Sequence, residues 1–547
     1  MAESQDRARN PFLNGLLAVL ALGVLNSALS MTNWWPTPFV QLDARIAPEF
    51  VYLWCGLLAW FAVQRQTLSP SLASSRFLGG LAVLYAVLVL GRYFDTTAPA
   101  LFGRAINLYW DGLQIPRLLW VLMQKYPLWV VVAVVVATVL FLAVLFLVLR
   151  WSMTVTVKKA VPYALQSKWA LALTGFLLLS SLANLAGAQL TWPYISRPVI
   201  PTYWAQGKIF WQALLEGSGQ SYLPASPAFD SNLLQLAGSD FKLLFFESYG
   251  AIVFDNASMQ QQIAPLQKAL ETQALARGQT IVSAFVTSTT FGGGTDLAHM
   301  ALLSGVDTRD PILHDVLLTT QRPTLVKHFK SKGFETFGLY PALSWDWPEG
   351  DFFGFDKLVD ARALNYAGPQ LGYWKIPDQF ALAKFRQLQP IGPGSPPRFL
   401  FFSSISSHLP FHPVPPYQPD WAKVLTPTPF DEQEVARLQA SSTPWLDMQP
   451  GYVGMIKYNF EWLAGYLAMP KERDYVMVVL GDHQPTSNVT GEGASWDVPV
   501  HVIASNPALI ERFLAAGFSR GMLPERKAIA SLSGLTTILL NALHKDQ

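Results

Sequence analysis

Residues 475–485, YVMVVLGDHQP, set a short apolar run directly before a glycine, an acid and an imidazole. Such a run, rich in β-branched side chains and closed by turn residues, predicts a strand. Outward from it the same pattern recurs. Runs of β type lie at Lys242–Phe246, Thr280–Val286, Glu335–Leu339, Arg398–Ser403 and Val500–Ala504. Helical stretches stand between them, at Met259–Ala276, Asp296–Ser304, Pro323–Lys332, Tyr452–Met469 and Pro507–Ala516. The alternation predicts an α/β domain over residues 239–547, a mainly parallel sheet covered by helices on both faces. Sheets of this kind place their active sites at the carboxyl ends of the strands.

The residues just past each strand are therefore decisive. ESYG, with Glu247, comes after the first run. TSTTFGGGTDLAHMALLSG comes after the second, SISSHLPFHP with His408 and His412 after Arg398–Ser403, and Asp482 and His483 after Tyr475–Leu480. Glu247, Asp482 and His483 offer oxygen and nitrogen without thiolate, a set suited to one divalent cation such as Mn, Mg or Zn. The bland alternatives are a turn cap for Asp482 and a hydrogen-bonded surface histidine for His483. Gly292–Gly294 let the backbone turn sharply, and Thr295 then opens a helix beside unpaired N–H groups and the positive dipole end. A threonine there is either a plain helix cap or, next to a metal, an activated nucleophile. Of the remaining histidines, His299 is expected to pack under the site, His501 to sit on a late strand, and His314, His328 and His544 to lie on the surface.

The first third of the chain is different. The whole protein has 547 residues, of which 51% are hydrophobic and 14% charged, against about 25% charged in an average soluble domain. Mean hydropathy is +0.26. Aromatic residues make up 13%, which excludes a disordered chain. A net charge of +2 gives no electrostatic reason to expect nucleic acid. The single cysteine, Cys55, excludes an intramolecular disulfide and a CxxC zinc site. Apolar runs at Phe12–Met31, Phe50–Val63, Phe77–Leu90, Leu128–Leu149 and Trp169–Leu190 predict about five membrane spans within residues 1–190. With the N-terminus inside, the inner segments carry 8 Lys and Arg and the outer ones 5, which puts everything after residue 190 outside the cytoplasm. Gly91–Tyr126 reads as an interfacial amphipathic helix. Residues 191–238 read as a juxtamembrane linker, broken by Pro198 and Pro201 and holding one helix near Ala205–Glu216.

The order ESYG, GGGT before a helix, SSHLPF and GDH resembles the sulfatase-like branch of the alkaline phosphatase superfamily. More narrowly it resembles membrane-anchored transferases of the lipoteichoic acid synthase type and phosphoglycerol transferases of periplasmic glucans. The resemblance implies a polytopic α-helical membrane domain followed by an extracytoplasmic sulfatase-like α/β domain. It implies that Glu247, Thr295, Asp482 and His483 hold one catalytic metal, that Thr295 is the nucleophile and that His408 binds substrate. SWDWPEGDFFGFDK (344–357) resembles the family's aromatic head-group segment, which makes Trp345 a pocket residue. Asp346, Trp347 and Glu349 stand where the family offers a basic residue. His412, four residues after His408, is a further candidate substrate contact. The implied reaction is transfer of a phospholipid head group, phosphoglycerol or phosphoethanolamine, to an envelope glycan or lipid through a phosphothreonine, at a bacterial inner membrane. A periplasmic phosphodiesterase or sulfate-ester hydrolase with the same site, and an inactive domain that binds a polysaccharide or assembly partner, are the alternatives. A soluble sulfatase would need a CxPSR-like run, which the chain lacks.

Overall fold

Each of the six apolar runs is a strand, and their side chains explain why. In Asp240–Phe246 the residues Phe241, Leu243 and Phe245 enter one buried cluster, while Leu244 and Phe246 enter another on the opposite face. Tyr475–Gly481 divides in the same way, with Val476, Val478 and Leu480 on one face and Met477 and Val479 on the other. Alternate side chains of a strand point to opposite faces, so a continuous apolar run is stable only between two cores. Each fully buried Phe, Leu or Val contributes about 1.5–3 kcal/mol.

The computed structural model describes residues 11–64, 75–188, 192–215, 223–371 and 375–546. The chain divides into two compact units, residues 1–101 with 105–214 and residues 102–104 with 215–547. The second unit is built on a nine-stranded sheet. In chain order its strands are β1 (Asp240–Phe246), β2 (Thr280–Thr287), β3 (Glu335–Tyr340), β4 (Lys357–Asp360), β5 (Arg398–Ser403), β6 (Tyr475–Gly481), β7 (Asp497–Ala504), β8 (Ser519–Arg520) and β9 (Ala528–Ser531). Their spatial order is β8-β2-β7-β6-β1-β5-β3-β4, with β9 added beside β2. β6, β1, β5, β3 and β4 run parallel. β7 is antiparallel to both β6 and β2, so the sheet is mixed, and β2 shares the direction of the parallel set. The carboxyl ends of β1, β2, β5 and β6 therefore lie along one edge.

The five expected helices of this unit appear as Ala257–Ala276, Thr295–Ser304, Leu325–Ser331, Gln449–Ala468 and Pro507–Ala515. Asn256, Thr324 and Asn506 cap three of them with side-chain oxygens. Helices at Pro311–Leu318, Asp378–Leu388, Glu432–Ala440 and Leu532–Leu543 add to those expected.

Among the described residues, four helices are long and apolar enough to cross a membrane: Phe12–Ser30, Arg76–Phe102, Leu128–Gln166 and Lys168–Leu185. The fifth expected span is a helix of 17 residues, Pro48–Gln64, about 25 Å long against a hydrocarbon core of about 30 Å. The expected end of the last span, residues 189–190, lies outside the described residues.

The amphipathic helix expected over Gly91–Tyr126 is shorter, Leu108–Lys125, because residues 91–102 continue the preceding helix. That continuation buries Arg92, whose guanidinium donates to Met31 O at 3.0 Å and Arg197 O at 3.4 Å. Pro201 does not break the connector helix, which runs Ile200–Leu215 with Pro201 in its first turn, where no N–H is needed. Glu49 Oε1 accepts from Val199 N at 2.5 Å and from Ile200 N at 3.2 Å, so a carboxylate caps the start of that helix. Glu216, the expected end of that helix, lies outside the described residues.

Candidate metal centre at the carboxyl edge of the sheet

β1 and β6 are neighbours, with Phe246 opposite Gly481, so Glu247 and Asp482 leave the sheet side by side. Their loops approach closely. A Cβ on Gly481 would lie 1.8 Å from Tyr249 O, and one on Gly250 would lie 1.8 Å from Gln484 Oε1. Only glycine permits that contact. Thr295 reaches the same point from β2 across a hinge in which Gly292, Gly293 and Gly294 have φ of 65°, 137° and 85°.

Four side chains converge there. Thr295 Oγ1 donates to Glu247 Oε2 at 3.1 Å and lies 3.4 Å from His483 Nε2. His483 Nε2 is 3.4 Å from Glu247 Oε1 and 3.4 Å from Asp482 Oδ2. The ligand atoms of Glu247, Asp482 and His483 all lie within 4.8 Å of one another. His483 Nδ1 donates to Gln484 O at 2.7 Å, which leaves the Nε2 lone pair facing the acids. Asp482 Oδ1 accepts from Ser248 N at 2.8 Å and His483 N at 2.7 Å, while its buried Oδ2 has no hydrogen-bond partner. Burial first, and the charge of Asp482 second, hold the Glu247 carboxyl well above the usual carboxylate range. Two buried acids and an imidazole lone pair turned on one point repel each other unless a cation lies between them. The donor set therefore fits a divalent metal ion, hard or borderline, held by Glu247, Asp482 and His483 with Thr295 beside it.

The cap reading of Thr295 does not hold. Gly294 is the helix cap, without a side-chain bond, and the Thr295 hydroxyl turns to Glu247 instead. His408 is half-buried, and the charges of His483 and Asp482 both act on it. Its Nδ1 donates to Leu409 O at 2.6 Å, and burial pushes its pKa down to about 4. His412 Nε2 is bonded at 2.8 Å to Ser441 Oγ rather than to the four converging residues. Trp345, past the carboxyl end of β3, is half-buried against the core.

Residues without a motif of their own brace the site. Ser404 Oγ accepts from Glu247 N at 3.1 Å, and Ser407 Oγ donates to Glu247 O at 2.6 Å while accepting from Asn459 Nδ2 at 2.9 Å. Asp378, fully buried, accepts from Ile405 N at 2.8 Å and Ser406 N at 2.9 Å and so holds the loop that carries His408. The SSISSH run was the only sequence signal for this bracing. His299 packs beneath the site as expected, edge-on to Phe245 at 4.6 Å, with burial lowering its pKa to about 4.

His314 and His328 are not surface residues: both are buried. His314 lies 3.1 Å from Asp315 Oδ1 and 3.4 Å from Glu349 Oε1. Burial lowers its pKa, but those carboxylates outweigh it and carry the imidazole up to about 9. Glu349, standing where a base was sought, is thus partnered by His314. His328 sits on the inward face of Leu325–Ser331, and burial pushes its pKa down.

Residues 251–502 match the family model described as sulfatase, a span that includes Thr295, His408, Asp482 and His483 and begins just after Glu247. The chain carries a sulfatase-like α/β domain, as the resemblance implied. No curated protein matches it. Among solved structures it is similar to a protein of the alkaline phosphatase superfamily from Vibrio parahaemolyticus, at 14% identity and TM-score 0.38 over 62% of this chain and 76% of that one. It is similar to the phosphoglycerol transferase GacH of Streptococcus pyogenes in complex with sn-glycerol-1-phosphate, at 14% identity and TM-score 0.36 over 62% and 80%. The lipoteichoic acid synthase LtaP of Listeria monocytogenes is similar at 13% identity and TM-score 0.34 over 52% and 68%.

Proposed function

We propose that this protein is a membrane-anchored, metal-dependent transferase. It moves a phospholipid-derived head group, phosphoglycerol or phosphoethanolamine, to an envelope glycan or lipid through a covalent phosphothreonine at Thr295. One observation carries the reading: a hydroxyl on a glycine hinge donates at 3.1 Å to an acid of a three-ligand cluster. The long apolar helices that precede the domain support a lipid donor and a place in the inner membrane, with the catalytic domain outside the cytoplasm.

Glu247, Asp482 and His483 would hold a divalent ion, which when bound would supply positive charge to lower the Thr295 hydroxyl pKa and offset charge on the phosphoryl oxygens. Thr295 Oγ1 attacks phosphorus, the P–O bond to diacylglycerol breaks, and the proton lost by Thr295 passes through water to the diacylglycerol oxygen. Diacylglycerol leaves as an alcohol after taking up a proton, and the head group stays on Thr295. The acceptor hydroxyl then attacks the same phosphorus, the P–O bond to Thr295 breaks, and the acceptor's proton returns to Thr295 Oγ1. His408, neutral and bonded through Nδ1 to Leu409 O, is the proposed group that stabilises the transferring phosphoryl group or assists a leaving group. Trp345 and His412, which come after β3 and β5 at the same edge, are the proposed substrate contacts.

The test is the intact mass of the full chain after exposure to phospholipid, followed by peptide mapping. The expected result is one retained phospho-head group on Thr295, absent from Thr295→Ala. Donor consumption by a protein that never carries the adduct would overturn the nucleophile. Product analysis with and without a glycan acceptor decides transfer against hydrolysis: head group released only to water replaces the transferase with a phosphodiesterase.

A further inference from the structure

A second buried network lies one layer behind the four converging residues. Tyr249 OH is 3.0 Å from His501 Nε2, and His501 Nδ1 is 2.6 Å from Ser283 Oγ, which donates at 2.6 Å to Gly521 O. All three side chains are buried. The protons can be placed by elimination. A carbonyl only accepts, so the Ser283 hydrogen points at Gly521. Ser283 Oγ must then accept from His501 Nδ1–H, which leaves Nε2 bare to accept from the Tyr249 hydroxyl. Burial pushes the His501 pKa down to about 3, so the ring stays neutral. Ser283 and His501 are direct cross-strand partners on β2 and β7, the most rigid kind of support the fold offers.

That network ends on the ligand loop. Tyr249 follows Ser248, whose N–H donates to Asp482 and whose hydroxyl donates to Glu247 Oε1 at 3.0 Å. Ser248 has φ of 56°, a left-handed conformation that persists only when its surroundings hold it. The surroundings are Tyr452, whose hydroxyl donates to Ser248 O at 2.9 Å, and the anchored Tyr249. We propose that Tyr249, fixed by His501, is a positioning residue that sets the spacing of Glu247 and Asp482 and with it the metal affinity of the centre. The inference rests on the metal reading above.

The test is isothermal titration of full-length, metal-free protein in detergent with Mn²⁺ alone. Tyr249→Phe keeps the ring packed against Phe246, Phe254 and Phe460 and removes only the hydroxyl. The expected result is an affinity about 10-fold below the parent protein, the low end of the range for a ligand's own outer partner, because Tyr249 acts one residue further out through Ser248. Tyr475→Phe, a buried tyrosine at the amino end of β6, is expected to bind like the parent. An equal drop in both would mark general loosening and overturn the inference, as would parent-like affinity in Tyr249→Phe. If Tyr249→Phe does not fold, Ser283→Ala is titrated instead, and parent-like affinity there overturns the proposal. A parent protein that binds no Mn²⁺ removes the metal reading itself, a result distinguishable from failure of the clamp.

Discussion

Three acids at the amino edge of the central sheet and the two acids that converge at its carboxyl edge are treated in opposite ways. At the amino edge acids meet lysine or arginine. Asp240 pairs with Arg473 at 3.0 Å, Glu335 with Lys357 at 2.8 Å, and Asp356 with Lys330 at 2.5 Å. At the carboxyl edge Glu247 and Asp482 meet hydroxyls, backbone amides and one imidazole, and Asp482 Oδ2 meets no hydrogen-bond donor among the described residues. Burying acids together without a cation costs several kcal/mol. The amino-edge acids are neutralised by the fold's own side chains, whereas Glu247 and Asp482 are not, which is what the proposed metal centre requires.

The contrast breaks most visibly at Thr295. Thr295→Ala is expected to lower head-group turnover by about a thousandfold or more, while Mn²⁺ affinity and thermal stability stay near the parent values. Loss of metal binding in that variant would make Thr295 an essential ligand, as the resemblance implies, and the lost turnover would then no longer mark the nucleophile. Asp482→Asn comes next. Its Mn²⁺ affinity should fall by more than the roughly 100-fold upper range for outer partners. Its metal-free melting temperature should rise, because a buried carboxylate whose Oδ2 has no hydrogen-bond partner is gone. A lower metal-free melting temperature would mean that the acids are not frustrated.

Asp378 sharpens the comparison, being a buried acid that holds a loop through backbone amides. Burial raises its pKa from the ordinary 3.8 to about 6. The folded state therefore binds this proton more tightly than the unfolded one. Its contribution to stability is full below about pH 4 and is lost as pH rises to about 6, a change of about 3 kcal/mol. Asp378→Asn should flatten that share of the slope in melts taken between pH 4 and pH 7. An unchanged slope would place the titration elsewhere, with Glu247 the first suspect. The smallest effect is expected at the amino edge, where Lys357→Met breaks a half-exposed pair worth under about 1 kcal/mol. A larger loss by denaturant unfolding would show that this edge, too, depends on its charges.

Much of the site was legible because its residues sit in turns that a strand must end on. Glu247, Asp482 and His483 come straight after apolar runs, and three consecutive glycines before Thr295 have few other uses. The bracing was not legible. Ser407 and Asn459 are 52 residues apart and meet only because the helix Gln449–Ala468 packs against β5, with Trp462 on Phe402. His314 and His328 carry no local mark of burial. Their helices are short, and only packing decides which face turns inward. The reversed direction of β7 was equally hidden, since an apolar run reads the same in either direction.

The amino-acid sequence by itself determined the division into apolar helices and an alternating α/β half, because hydrophobic periodicity is a local property that each segment must satisfy alone. It also determined which side chains stand at the strand ends. Tertiary structure alone decided that four of them share one point, that His483 turns its bare nitrogen inward and that Tyr249 is pinned from behind. Those facts depend on strand order and on partners tens or hundreds of residues apart, and no local pattern encodes a distance across the sheet.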